Sequence, residues 1–242
     1  MKIAIVTPYY RPLGTVFAQC IDSVAAQTYP CDHILVSDGH PSSLVIERGL
    51  KEIQLPQAHG VGGNLPRCLG AIMAVNEGYD AVLFLDEDNW FTPNHVQMMV
   101  DLHEQSGAVV CTAQRTIHRL DGSQMALVDT WSDGATNTDT NCMFVTRPAF
   151  PLLSLWSLMA PQLGPICDRI YWATIKNRKH ATAHTATPSV RFRSLYKVHY
   201  DILGEAAPPG AKTGGEIDDS IKWLRSLPED QRNYWRSLFG IQ

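Results

Sequence analysis

No apolar run in these 242 residues approaches the roughly 20 needed to cross a bilayer, so any membrane contact would be peripheral. Nor is there an excess of positive charge. Twenty Lys and Arg stand against 24 Asp and Glu, a formal net charge of -4, so nucleic acid is not an expected partner. An anionic ligand would need local cations or a metal. The six cysteines (Cys20, Cys31, Cys68, Cys111, Cys142 and Cys167) contain no C-x-x-C pair, and several fall in apolar segments, as buried free thiols do. A cytoplasmic, reducing setting is expected. The N-terminus does not read as a signal peptide, because the stretch after Lys2 stops at Pro8. The nine histidines offer no metal pair on a convincing helix; His180 and His184 lie four apart among strand-like Thr and Ala. No G-x-G-x-x-G follows the first apolar run, which disfavours a dinucleotide-dependent dehydrogenase.

What is present reads as a globular α/β chain, 45% hydrophobic and 18% charged. Residues 2–7 form a β-branched run stopped by Pro8, hence a strand. Ala18, Ile21, Val24 and Ala25 then recur at helical spacing. Strands are expected at residues 32–37, 51–55 and 81–85, with helices over 64–76 and 93–104, the latter capped by Thr92 with Pro93 in its first turn. This β-α-β-α alternation predicts a mostly parallel twisted sheet flanked by helices. Further on, residues 108–117 read as a strand, 120–123 as a hairpin turn and 167–177 as a helix. Residues 187–200 mix strand and loop signals. The breaker cluster A-A-P-P-G-A-K-T-G-G at 206–215 precedes two amphipathic helices, expected to pack on the domain.

The tetrapeptide Asp86-Glu87-Asp88-Asn89 ends the apolar run at 81–85. Side chains at i and i+2 of an extended segment share a side, so Asp86 and Asp88 would repel. A divalent cation with hard oxygen ligands relieves that repulsion, and Mn²⁺ or Mg²⁺ suits it. Ligands of open α/β sheets bind at strand carboxyl ends, which is where this pair lies. The competing reading is an acidic N-cap cluster for the following helix. His199 follows a basic stretch containing Arg191, Arg193 and Lys197; it is a candidate third metal ligand or a plain surface histidine. The three cations are either a lid over phosphates or a solvated face.

Several short strings then fall in a fixed order: T-P-Y-Y-R-P at 7–12, A-Q-T-Y-P at 26–30, V-S-D-G at 36–39, N-L-P-R-C-L-G at 64–70 and the acidic tetrapeptide. That order resembles the nucleotide-sugar-binding half of the family-2 glycosyltransferases with the GT-A fold, well over residues 1–110 and loosely over 130–200. The resemblance implies an enzyme that moves a sugar, with inversion, from a nucleoside-diphosphate donor, UDP-sugar first, to a hydroxyl of a glycan, lipid-linked or small-molecule acceptor. It implies that Thr7, Pro8 and Tyr10 line the nucleoside pocket and that Asp38 reads base or ribose. Ser37 stands where the family often has a second acid. Arg67 and Gly70 match the segment whose arginine approaches the pyrophosphate; the alternative for Arg67 is a surface ion pair. Asp86 and Asp88 match the D-x-D motif, with Asp88 on the metal and Asp86 on ribose or the metal shell. Asp168, after Cys167 in place of a family glutamate, matches the catalytic base, or else merely complements a helix dipole. Asp133 and Asp139 are alternative bases, and Trp131 beside them is a candidate platform for a sugar face.

The resemblance sets residues 1–205 as a GT-A domain, with a donor half to 110 and an acceptor half from 111, and 206–242 as a linker and helical tail. Two other readings compete. A haloacid-dehalogenase-like phosphatase also uses D-x-D, but near the N-terminus and followed by G-T, whereas Asn89-Trp90 follow here in mid-chain. A catalytically degenerate nucleotide-sugar-binding module is kept open by the Ser37 and Cys167 departures.

Overall fold

The computed structural model describes residues 1–240. Strand β1 (Ile3–Tyr9) is buried along its whole length, so it lies at the centre of the molecule. It is flanked by β2 (Asp32–Ser37) and β4 (Ala81–Phe84), both parallel to it, and β2 carries the short edge strand β3 (Glu52–Gln54). Helices α1 (Gly14–Ala25), α2 (Ser43–Glu47) and α3 (Asn64–Asn76) make the connections. The short strand β5 (Trp90–Phe91) precedes α4 (His95–Ser106) and β6 (Val110–His118). Then come β7 (Met143–Thr146), α5 (Leu155–Leu158), α6 (Cys167–Asn177) and β8 (Thr182–Arg193). Helices α7 (Lys197–Leu203), α8 (Gly215–Ser226) and α9 (Glu229–Phe239) follow.

Among the described residues eight strands form one sheet in the order β3-β2-β1-β4-β7-β6-β8-β5. The first four strands and the pair β6/β8 are parallel, while β7 runs antiparallel to both its neighbours. The architecture is thus the mostly parallel, helix-flanked sheet that the alternation predicts. Strand β7 has no counterpart in the sequence reading. Its four residues, M-F-V-T, are all buried and carry no alternation to mark them. Strand β8 begins earlier than the mixed signals of 187–200 suggest, and α7 closes that stretch. Helix α4 starts at His95 with Asn94 before it, and the Thr92 hydroxyl bonds the Asn94 side chain instead of capping the helix.

Each sheet face buries its own apolar cluster, because side chains alternate along a strand. Ile3 and Ile5 meet α1 and α4 on one face, and Ala4 and Val6 meet α3 on the other. Gly70 lets α3 approach β1 closely, since a Cβ there would lie 2.5 Å from a Val6 methyl. The tail helices join the second face. Phe239 is fully buried there, and Trp223, Trp235 and Leu238 pack against it.

Candidate functional site

The acidic turn follows β4, and Tyr10, the residue after β1, donates its amide to Glu87. After β4, the Asp86 carboxylate receives Arg67 Nη2 at 2.7 Å and Asn141 Nδ2 at 2.9 Å. Arg67 is 3% exposed; it also donates to Asn64 Oδ1 and the Gly62 carbonyl, and lies over the Trp156 ring. The surface-ion-pair alternative for Arg67 is therefore overturned. Its head group is a buried strut between α3 and the acidic turn, and any pyrophosphate contact would have to share it.

Asp88 behaves differently. Among the described residues no other residue donates a hydrogen bond to its carboxylate; Arg193 holds only its carbonyl. Burial, and then the Asp86 charge, push the Asp88 carboxyl up to about 7. Glu87 accepts from the Tyr10 amide and is pushed up to about 8, first by burial. Asn89 accepts the Arg193 amide at 2.8 Å and fixes the turn. An unpaired, partly buried carboxylate beside a second one suits a hard divalent ion that takes its other oxygens from phosphates and water. Among the described residues no three His, Cys, Asp or Glu side chains are grouped to hold an ion alone. His199 thus gives Asp86 and Asp88 no ready third ligand. Its Nδ1 pairs with Ser194 Oγ at 2.6 Å, and burial, followed by the Arg115 charge, lowers its pKa.

Asp38 is buried, and its two oxygens accept the amides of His59 at 2.8 Å and Gly60 at 2.9 Å. It shapes the loop at 60–63, in which Val61, a β-branched residue, adopts a φ of 54°. Such a conformation costs on the order of 1–3 kcal/mol and marks a position the surroundings enforce. Pro8 abuts this loop: a Cβ on Gly63 would lie 3.1 Å from the proline ring. Tyr10 is exposed, edge-on to His40. Thr7 departs from its expected place. It lies inside β1, fully buried, with its hydroxyl 2.8 Å from His33 Nε2, so it does not line a nucleoside pocket. The strand continues to Tyr9, two residues beyond where Pro8 was expected to end it, which carries Thr7 into the interior.

Beside the acidic turn opens a cleft of ≈ 470 Å³. Asp168 lines it from the first turn of α6, and burial, then the Asp139 charge, push its carboxyl up to about 6. Cys167 is pushed up to about 12, chiefly by burial, so it stays an uncharged thiol where the family has a carboxylate. Asp139 also faces the cleft, but it is bound by Arg115 and by Asn141 Nδ2 at 2.7 Å. Asp133 accepts the amides of Ala135, Thr136 and Asn137 and serves as a turn anchor. Of the three candidate bases, Asp168 is the least engaged: no cation pairs it, and it accepts one hydrogen bond, from the Arg169 amide at 2.7 Å. Trp131, on the cleft wall, is 50% exposed with Arg169 over its ring.

The basic stretch is not a lid. Arg193 is buried and donates to the Asp88 and Leu120 carbonyls and to Gln19; Arg191 bonds Thr116, and Lys197 pairs with Asp201 one turn away. Three residues of the site were missed in the sequence. Asn141 and Arg115 gave no local signal. Lys212 faces both the cleft and the field of Asp88, and as the sole cation of the breaker cluster at 206–215 it was open to notice.

The family model described as glycosyl transferase family 2 matches residues 4–152, which include the acidic turn, Asp38, Arg67 and Asn141. Among solved structures, S. aureus TarS 1-349 in complex with UDP is similar at 13% identity, with a TM-score of 0.63 over 98% of this chain and 79% of that one. A longer S. aureus TarS structure gives the same identity and TM-score over 96% of this chain and 45% of that chain. TarS 1-349 in complex with UDP-GlcNAc gives a TM-score of 0.61 at 13% identity, again over 98% and 79%. At that identity the likeness establishes the fold. No curated protein matches the chain by sequence.

Proposed function

This chain belongs to glycosyl transferase family 2 and is a glycosyltransferase, and from that premise we propose that it transfers a sugar from UDP to an acceptor hydroxyl with inversion. The observation that carries the reading is Asp88, a carboxylate with no donor from another residue in the turn after β4, together with the adjoining cleft, which Asp168 lines from α6 and whose Lys212 lies in the field of Asp88. Tyr10 and the Asp38-held loop, against which the buried Pro8 ring packs, would seat the nucleoside, in line with the UDP and UDP-GlcNAc held by the TarS structures. Asp88, with Asp86 beside it, would hold Mn²⁺ or Mg²⁺, which when bound neutralises diphosphate charge. Asp168 takes the proton of the acceptor hydroxyl as its oxygen bonds to the sugar carbon. The bond from that carbon to the diphosphate oxygen breaks, and UDP leaves with the electron pair.

In this reading residues 1–110 form the donor half, 111–205 the acceptor half, and the tail from 206 completes the cleft wall. The phosphatase alternative lapses, because the family match spans the D-x-D turn itself. Calorimetric titration of UDP, GDP, CDP and dTDP with and without Mn²⁺ tests the proposal. UDP binding that needs Mn²⁺ supports it; binding of no nucleotide, or UDP binding indifferent to EDTA, contradicts it.

A further inference from the structure

The cleft beside Asp168 has two chemically distinct sides. At one, Thr138 is 1% exposed and its hydroxyl has no hydrogen-bond partner. A buried hydroxyl left unpaired is costly, and a ligand hydroxyl would offset that cost. Asp168 lines the same cleft. On the other side the wall comes from α7 and α8, which lie beyond the family-matched residues. Val198 is 48% exposed and Ile221 36%, and Ile217 sits one helical turn before Ile221. Ile202, one turn after Val198, extends that apolar stripe outside the cleft.

Single exposed aliphatic residues are ordinary on protein surfaces. Two of them, with the half-buried Ile217, lining one cavity with an orphaned hydroxyl and a carboxylate that no cation pairs are a built arrangement. The cavity volume lies within the range of about 300–1,000 Å³ found for small-molecule sites, which suits a sugar with an appendage and is far too small for a protein face. Its charges also balance: Asp139, Asp168 and Asp218 face Arg115, Arg169 and Lys212, so no net field draws an anionic acceptor.

We propose that the acceptor is an uncharged amphipathic glycoside, whose sugar meets Asp168 and Thr138 and whose apolar aglycone lies against Val198, Ile217 and Ile221. The assignment rests on the transferase reading and adds the acceptor class to it. The test is calorimetric binding, with UDP and Mn²⁺ present, of octyl β-glucoside, octyl β-galactoside and octyl β-N-acetylglucosaminide below their micellar concentrations. Each is compared with its free sugar. At least one octyl glycoside should bind tenfold or more tighter than its free sugar, about 1.4 kcal/mol. That gap should close in the Ile217→Ser/Ile221→Ser variant and narrow in Val198→Ser, which alters a different helix. Thr138→Val should weaken the glycoside and its free sugar alike. Equal binding of every pair, or a gap that survives both wall variants, overturns the acceptor assignment. If UDP binds while the pairs stay equal, only this assignment falls; if UDP does not bind, the proposed transfer from UDP falls with it.

Discussion

Asn141 grips Asp86 twice: its Nδ2 donates to the carboxylate at 2.9 Å, and its Oδ1 accepts the Asp86 amide at 2.6 Å. The pairing follows from the β4/β7 register. Leu83 lies opposite Phe144, so the antiparallel count carried three residues further brings 86 opposite 141. Through Nδ2 the same amide reaches Asp139, which borders Asp168, so one side chain ties the acidic turn to the cleft wall.

Asp86 and Asp88 should therefore fail in different ways. Asp86→Ala strands the buried Arg67 guanidinium, and loss of one partner of a buried pair costs about 3 kcal/mol. Urea denaturation should show a clearly lower midpoint for Asp86→Ala and no such fall for Asp88→Ala. Equal midpoints would contradict the division of labour.

The Asp88 substitution should alter the pH dependence of stability. Its folded pKa, about 7, lies above the ordinary carboxylate value of roughly 4. The unfolded chain thus releases this proton first, and folding stability falls as pH rises from about 4 through 7. Asp88→Asn should gain stability over wild type across that window and hold the gain above it. Mn²⁺ should stabilise wild type alone. Urea midpoints at pH 4.5, 6 and 8, with and without Mn²⁺, decide the matter.

Asp168→Asn should lower kcat about 10²-fold or more while leaving UDP affinity within a factor of a few. A base works when ionised, so wild-type kcat should rise with pH to a plateau above the Asp168 value of about 6. Stopped UDP-release assays across pH 4.5–8 measure both. A flat profile in this range would assign the base elsewhere.

Gly70→Ala should destabilise the chain despite alanine's better helix propensity. The added methyl meets Val6 at 2.5 Å and Val36 at 2.9 Å, and overpacking of this kind costs roughly 1–3 kcal/mol. Helix propensity returns only about 1 kcal/mol. An unchanged or raised urea midpoint would show that α3 can shift outward freely.

Particular residues show how much was legible. The helices at 64–76 and 167–177 match the apolar spacing and turn signals that mark them, and the acidic turn could be nominated because two carboxylates after an apolar run need a reason. Pro8 misled: it reads as a strand stop, but β1 passes through it to Tyr9, which buried Thr7 against His33. Arg193, among basic sequence neighbours, read as part of a phosphate lid or of a solvated face; in the fold it is neither, and fastens the acidic turn from inside.

By itself the sequence determined the strand-helix alternation and the acidic turn at the end of β4, and nominated the candidate site there, because propensity, periodicity and like-charge repulsion act between near neighbours. Only the tertiary structure decided which carboxylates are free. Asp38 and Asp133 are taken up by two or more amides and Asp139 by a cation, whereas Asp88 receives no donor from another residue and Asp168 only the Arg169 amide. That distinction depends on partners such as Asn141, 55 residues from Asp86, brought there by the antiparallel insertion of β7, and strand order is written in no local pattern.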